Sequence, residues 1–302
     1  MRYGLDIGGT KIEIAVFDRD FKVLDVTRIS TPSENYQRFM QSVCRLVRQK
    51  DKQYSCIGSV GIGLPGVQET RSSKQISSNI PCLTGQHVAR DLATELNRAV
   101  YIDNDSRCLA LCEALTGAGQ GMPRVFAAVL GTGAGGGLVL DGKVYRGASG
   151  VAGEWGHMPI AAHLVNQYGL FVKQCNCGLY GCLEHYISGT GLSNLCEHFL
   201  RIRLPTEEFL KLLAEKDPKA LHVYQVFIDI LCSGFASLQL TYDVDIIVLG
   251  GGLSNIKRLY ADLDQRLPDF LFKGIQAVPI VPARFGDSSG VRGAALLGDN
   301  SF

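Results

Sequence analysis

The sequence predicts an α/β protein of two domains in which the second half repeats the plan of the first, and three observations carry that prediction. A β-like run, a glycine turn and a second β-like run occur twice, from Arg2 to Asp18 around Gly8-Gly9-Thr10 and from Arg124 to Asp141 around Gly131-Thr132-Gly133. Apolar segments with helical spacing alternate with further short strands after each of them. The chain has 302 residues, 46% apolar and 20% charged, enough to bury a sizeable core and to form two domains.

In order, Arg2 to Ile7, Lys11 to Asp18 and Lys22 to Ser30 form a three-stranded meander. Asn35 to Gln49 places Phe39, Val43, Leu46 and Val47 at helical spacing, and Gly58 to Leu64 is a buried strand ended by Pro65-Gly66. His87 to Leu96 is a second helix and Val100 to Ile102 a short strand. Ser106 to Ala118 is a helix that leads into Gly117-Ala118-Gly119-Gln120-Gly121, a glycine-rich hinge. The plan then restarts with strands at Arg124 to Leu130, Gly137 to Asp141 and Lys143 to Tyr145. A cysteine segment follows, then helices near Gly191 to Arg201 and Lys219 to Leu240, a strand at Asp245 to Leu249, and helices at Ile256 to Leu267 and Ser289 to Leu297.

A formal net charge of +1 with no Lys/Arg block argues against nucleic acid or an anionic membrane as partner and favours a small ligand. No window of about 18 uncharged apolar residues stands out, and Asp6 comes too early for a signal peptide, so a cytoplasmic protein is expected. Ten cysteines do not make a disulfide scaffold in a chain of this size. Cys44, Cys56, Cys82, Cys108, Cys112, Cys196 and Cys232 lie in apolar segments and read as small buried hydrophobes, whereas Cys175, Cys177 and Cys182 cluster.

Gly131-Thr132-Gly133-Ala134-Gly135-Gly136 matches the dinucleotide fingerprint formally, but a β-like run follows where that motif needs a helix, and the Walker pattern is absent. What remains is Asp6-x-Gly8-Gly9-Thr10-Lys11 and Gly131-Thr132-Gly133 in strand-to-strand turns, and Gly250-Gly251-Gly252 between a strand and a helix. Such turns bring backbone N–H groups close to phosphate oxygens, Thr10 and Thr132 add hydroxyl donors, and Asp6 suits the water shell of Mg²⁺. Each is also readable as a plain hairpin glycine. Asn104 and Asp105, just before a helix, have two readings as well: one of them caps the helix, or Asp105 is a general base for a hydroxyl. Three thiols at 175, 177 and 182 with the His157 imidazole make the donor set of a closed tetrahedral zinc. Trp155 reads as packing or as shelter for a site, and the remaining histidines as surface or packing residues.

Two stretches carry a resemblance: Gly153-Glu154-x-Gly156-His157 followed by Cys175-x-Cys177-Gly178-x-x-Gly181-Cys182-x-Glu184, and Ser188-Gly189-x-Gly191. With the paired strand-turn-strand motifs, they resemble the ROK family of sugar kinases, along almost the whole chain. The resemblance implies the actin/hexokinase-like, ribonuclease H-like duplicated fold, with residues 1–118 and 287–302 in a first domain that includes the last helix, and 119–286 in a second. It implies transfer of the γ-phosphoryl group of ATP, with Mg²⁺, to a sugar 6-hydroxyl. Asp105 would be the base; Asn104, Asp105, Glu154, His157 and Glu184 would bind the sugar, with Gly66 approaching through its backbone and Asn79 a further candidate. Asp6, Gly8, Gly9, Thr10, Lys11, Gly131, Thr132, Gly133, Gly250, Gly251 and Gly252 would hold the nucleotide. A structural Zn²⁺ on His157, Cys175, Cys177 and Cys182, and a homodimer, are also implied. Within the family the two ends of the chain look most like the kinases of N-acetyl-D-glucosamine; fructokinase, glucokinase and N-acetylmannosamine kinase are the alternatives. Ser106 departs from the alanine that usually follows Asn-Asp, which touches substrate preference. Two other readings are weaker. A sugar-sensing regulator would carry a helix-turn-helix before the first strand, where this strand begins at Arg2, and a zinc-ribbon interaction module would leave most of the chain unused.

Overall fold

The computed structural model describes residues 1–77 and 79–298. In chain order its elements are β1 (Arg2–Ile7), β2 (Lys11–Phe17), β3 (Val23–Ser30), α1 (Tyr36–Tyr54), β4 (Ser59–Leu64), β5 (Val67–Gln68), β6 (Gln75–Ile76), α2 (Val88–Leu96), β7 (Val100–Asn104) and α3 (Asp105–Thr116). There follow β8 (Arg124–Leu130), β9 (Ala134–Leu140), β10 (Lys143–Tyr145), α4 (Ala162–Tyr168), α5 (Glu184–Ile187), α6 (Gly189–Leu200), α7 (Thr206–Ala214), α8 (Pro218–Tyr242), β11 (Ile246–Gly250), α9 (Lys257–Arg266), β12 (Ile280–Pro282) and α10 (Ser289–Leu297).

The duplication read from the sequence is present in the sheets. One has the order β3-β2-β1-β4-β7 and the other β10-β9-β8-β11-β12, so in both the first strand of the repeat is central. β1 runs antiparallel to β2, with Leu5 opposite Ile14, and parallel to β4, with Leu5 opposite Ile62. β8 runs parallel to β11, and β11 to β12. The chain divides into two compact units, one of Met1–Gly121, Gly137–Ala152 and the segment from Asp287, the other of Met122–Gly136 and Gly153–Gly286. Residues 137–152, expected in the second domain, belong with the first: the division falls inside β9, and β10 packs against α3. Residues 299–302 of the expected first-domain tail lie outside the described residues.

In the first unit, side chains alternate across the sheet. Leu5, Ile7, Ile12, Ile14, Ile62 and Leu64 bury against Phe39, Val43, Leu46 and Val47 of α1 and Leu92 of α2. Ala15 and Phe17 turn the other way, onto Val291 and Ala295 of α10. α10 lies so close to β4 that a Cβ on Gly61 would stand 1.7 Å from the Ala294 carbonyl oxygen. The last helix is therefore part of the first unit, packed on β1, β4 and α3.

α1 runs five residues past the expected Gln49, because Lys50 is buried on Asp25 (2.8 Å) and Thr27 (2.8 Å) of β3. In the second unit α8 is long and apolar enough to cross a membrane by length and composition, but most of its apolar stretch is buried inside the protein, as in a core helix. Trp155 is packing, not shelter: it stacks on Phe235 at 5.2 Å and donates to the Gly135 carbonyl at 2.6 Å. Of the scattered cysteines, Cys56 and Cys82 are only half-buried; the others are in the core as expected.

Candidate active site

The first unit brings Asp105, Asp6 and the turn Gly8–Thr10 together. The two readings of Asn104-Asp105 resolve into a division of labour. Asn104 is the N-cap of α3, its Oδ1 accepting from the N–H groups of Ser106 (2.9 Å) and Arg107 (3.4 Å). Its Nδ2 donates to the Gly66 carbonyl at 2.9 Å, so both ends of the amide are engaged within the protein. Asp105 thus stands at the first helical position, and shares the Ser106 N–H with the cap. Its Oδ1 accepts the Ser106 N–H at 2.8 Å. Burial pushes the Asp105 carboxyl above its ordinary range, against the stabilising Ser106 N–H. A carboxyl so placed holds a proton more readily than one in water.

Asp6 is pushed up to about 6, first by burial and then by the charges of Asp105 and Glu13, with Lys11 opposing. Two carboxylates that repel each other in a partly dry site favour a cation or a proton between them. The turn after Asp6 is held by Gly8 N–H on the Lys11 carbonyl (2.9 Å) and by Thr31, which donates through Oγ1 to the Gly8 carbonyl (2.7 Å) and through N–H to the Thr10 carbonyl (3.0 Å). Thr10 and Lys11 are exposed. Asn79 is exposed beside this turn, its carbonyl 2.8 Å from where a Cβ on Gly9 would stand; its neighbour Ser78 lies outside the described residues. Gly66, after β4, has φ +88°, and a Cβ there would meet the Ile76 carbonyl at 2.0 Å, so only glycine fits.

The second unit brings together the other glycine turns. Gly131 closes the turn after β8 by donating to the Gly133 carbonyl at 3.0 Å. Gly251, with φ +80°, approaches Leu130 so closely that a Cβ would stand 2.6 Å from its carbonyl. The start of α6 completes the cluster, Gly189 N–H donating to the Gly131 carbonyl (2.8 Å) and Thr190 N–H to that of Thr132 (3.4 Å). Gly250, Gly251 and Gly252 therefore share one corner with Gly131–Gly133. Gly189 entered the sequence reading only within Ser188-Gly189-x-Gly191, with no role of its own, and Thr190 not at all. Their signal was Ser188, whose side chain caps α6 by accepting from Gly191 N–H at 2.9 Å.

Beside that corner, His157, Cys175, Cys177 and Cys182 offer ligand atoms all within 4.8 Å of one another. Cys177 and Cys182 Sγ are 3.6 Å apart, and Cys175 Sγ is 3.8 Å from His157 Nδ1. A tetrahedral zinc at about 2.3 Å from sulfur would separate its ligands by about 3.8 Å, so the donor set and its spacing fit that ion. Backbone bonds build the cluster: Gly178 N–H on the Cys175 carbonyl (2.9 Å) makes the knuckle, and Leu183 N–H on the Met158 carbonyl (2.9 Å) ties Cys182 to the segment after His157. With Nδ1 on the sulfur side, His157 turns Nε2 toward Glu154 Oε2, 4.0 Å away. Glu184 Oε1 lies 3.9 Å from Nδ1, and its Oε2 is 3.0 Å from where a Cβ on Gly133 would stand. Glu154, His157 and Glu184 are thus one group, next to the glycine corner.

The ROK family model matches residues 2–300. The N-acetylgalactosamine kinase AgaK of Shewanella sp. (strain ANA-3) is 48% identical over 298 residues, 99% of this chain and 96% of the relative. The N-acetyl-D-glucosamine kinase of Shigella flexneri serotype 5b is 39% identical over 299 residues, 98% of this chain and 99% of the relative. Among solved structures, the ROK hexokinase of Thermus thermophilus superposes with a TM-score of 0.87 at 31% identity, covering 98% of this chain and 97% of its own. With the duplicated sheets, the glycine turns and the Asn104-Asp105 helix start, these likenesses establish that the chain belongs to the ROK family, as an ATP-dependent sugar kinase of the actin/hexokinase-like fold.

Proposed function

We propose that the chain phosphorylates an N-acetylhexosamine at its 6-hydroxyl, N-acetylglucosamine first among them, giving the sugar 6-phosphate and ADP, with Asp105 as the base. The observation that carries this is the division of labour at α3. Asn104 takes the cap, and Asp105 stands next to it in surroundings that raise its affinity for a proton. A sugar hydroxyl near its ordinary pKa is a weak nucleophile, and a positioned carboxylate typically contributes about 10² to 10⁴ in rate.

Asp6 suits the water shell of Mg²⁺, because the proton it tends to hold beside Asp105 is what a cation replaces. Such an ion supplies charge neutralisation on the transferring phosphoryl group. The glycine corner of the second unit suits the nucleotide phosphates. Glu154, Glu184 and the Nε2 of His157 suit sugar hydroxyls, each unmatched buried polar group making the wrong sugar costlier by about 1 to 3 kcal/mol. His157, Cys175, Cys177 and Cys182 would hold a structural zinc, which fixes the imidazole tautomer so that Nε2 carries the proton.

N-acetylgalactosamine, which the sequence reading did not weigh, is the second reading. The 48%-identical relative carries that name, and the two sugars differ only in the direction of one hydroxyl. ADP release should be measured with N-acetylglucosamine, N-acetylgalactosamine, N-acetylmannosamine, glucose and fructose. The proposal expects the highest kcat/KM with an N-acetylhexosamine, and a clear preference for glucose or fructose would overturn it.

A further inference from the structure

The segment Arg146–Ala152, between β10 and Gly153-Glu154, is fastened at both ends to the root of α3. Arg107 does most of the fastening. Its guanidinium is buried, 2% exposed. Nη2 donates to the carbonyls of Gly150 (2.6 Å) and Ala152 (2.9 Å), Nε to Ala152 (3.2 Å), and Nη1 to Asp103 Oδ1 (3.3 Å). The other Asp103 oxygen accepts from Arg146 Nε at 2.8 Å, at the start of the same segment.

Neutralising Asp103 does not require this arrangement, because the half-exposed Arg146 already pairs with it. The additional donors of Arg107 go to backbone carbonyls, which carry no charge to balance, and their effect is to fix the path of the chain. That path is constrained from the far side as well. Gly150 has φ +80°, and a Cβ there would stand 2.6 Å from the Gln68 carbonyl in β5, next to the Gly66 turn that Asn104 holds. One turn of α3 therefore carries the base, the amide that fixes Gly66, and the guanidinium that fixes Gly150 and Ala152.

We propose that Arg107 is a positioning residue for the acceptor sugar: within the first unit it holds residues 146–152, and through Gly150 the segment beside the Gly66 turn, against the helix that presents Asp105. The inference rests on the sugar-kinase reading above. Arg107 has no role toward the nucleotide, so its loss separates the two substrates. A merely structural role would lower stability and raise both Michaelis constants together.

The test compares the parent with Arg107→Lys, with the pair Arg107→Met and Asp103→Asn, which leaves no unpaired buried charge, and with the half-exposed Arg146→Gln. Arg48→Gln, which removes a surface pair with Glu95, is the control. KM for the best N-acetylhexosamine and for ATP, the unfolding midpoint, and amide exchange over residues 146–152 are read for each. Arg107→Lys and the double variant should raise the sugar KM by about tenfold with the ATP KM within about twofold, and should speed exchange in the segment. Arg146→Gln should do the same more weakly, by about threefold, and is the deciding variant should the Arg107 changes not fold. Folded variants with an unmoved sugar KM, or with sugar and ATP constants rising together, overturn the proposal. A parent that phosphorylates none of the sugars would instead remove the reading beneath it, so the two failures are distinct.

Discussion

The two strand-turn-strand modules share a frame and differ in what they place at the turn. In the first, Asp6 stands two residues before Gly8; in the second, Val129 stands two before Gly131. The first turn therefore lies beside repelling carboxylates, Asp6 and Asp105, the second of them at the start of a helix whose cap is Asn104. The second has no acid within the turn; its carbonyls at Gly131 and Thr132 accept the N–H groups of Gly189 and Thr190, and Glu184 and the Gly251 bend lie against it. The repeated sheet order also places a positive-φ glycine after the fourth strand of each repeat, Gly66 in one and Gly251 in the other. The frame is thus indifferent to chemistry. At the equivalent position the two turns differ as acid against apolar.

The sharpest way to break this contrast is at the base. Asp105→Asn should lower kcat by about 10² to 10⁴ while sugar affinity stays within about threefold, read by steady-state turnover and by calorimetric binding. A smaller loss, at least about tenfold in turnover, is expected for Asp6→Asn, together with a gain in stability. The sign follows from linkage. A carboxyl whose folded pKa is raised from 3.8 to about 6 costs stability as pH rises through that range, and removing it returns at most about 3 kcal/mol at pH 7. Denaturant unfolding at pH 4 and pH 7 reads this: the variant should exceed the parent at pH 7 and match it at pH 4.

On the other module the effects are smaller and fall on binding. Cys177→Ser should release zinc, raise the sugar KM by about tenfold and the ATP KM far less, and leave most of the helical circular dichroism intact, since the apolar cores do not depend on the metal. Undetectable zinc in a parent with normal sugar kinetics would defeat that expectation. Thr132→Val should raise the ATP KM by about threefold to tenfold and leave the sugar KM unmoved, because it removes a single hydroxyl from the phosphate corner. An equal shift in both constants would show that the second turn is not specific to the nucleotide.

How legible these features were depended on how local they are. The strand-turn-strand repeat, the cap before α3 and the Cys-x-Cys knuckle are set by neighbours a few residues apart, and the sequence shows them. β9 was read as starting at Gly137 but starts at Ala134, because sheet pairing overrides the weak strand preference of three consecutive glycines. β12, three residues at Ile280–Pro282, and α7, which has no side-chain cap, passed unread. Arg107 is the clearest case of what a sequence conceals: beside an i,i+4 pair with Asp103, its backbone partners lie 43 and 45 residues ahead. Nothing local distinguishes it from a surface arginine on an apolar helix. The same holds for residues 137–152, which follow the first unit through β10 and α3 although they lie between segments of the second.

The central claim, that Asp105 is a base beside the Asn104 cap and raised by burial, is tested most directly by the pH dependence of kcat under saturating sugar, ATP and Mg²⁺. Because burial raises the Asp105 carboxyl above 3.8, the base is lost by protonation as pH falls, and the parent should show an acid limb placed above the ordinary aspartate range. Asp6→Asn should keep that limb at reduced height, and Asp105→Asn should lose it along with most of the rate. An acid limb that persists unchanged in Asp105→Asn, with turnover within threefold of the parent, would contradict the account and leave Asp105 as an ordinary first-turn residue of α3.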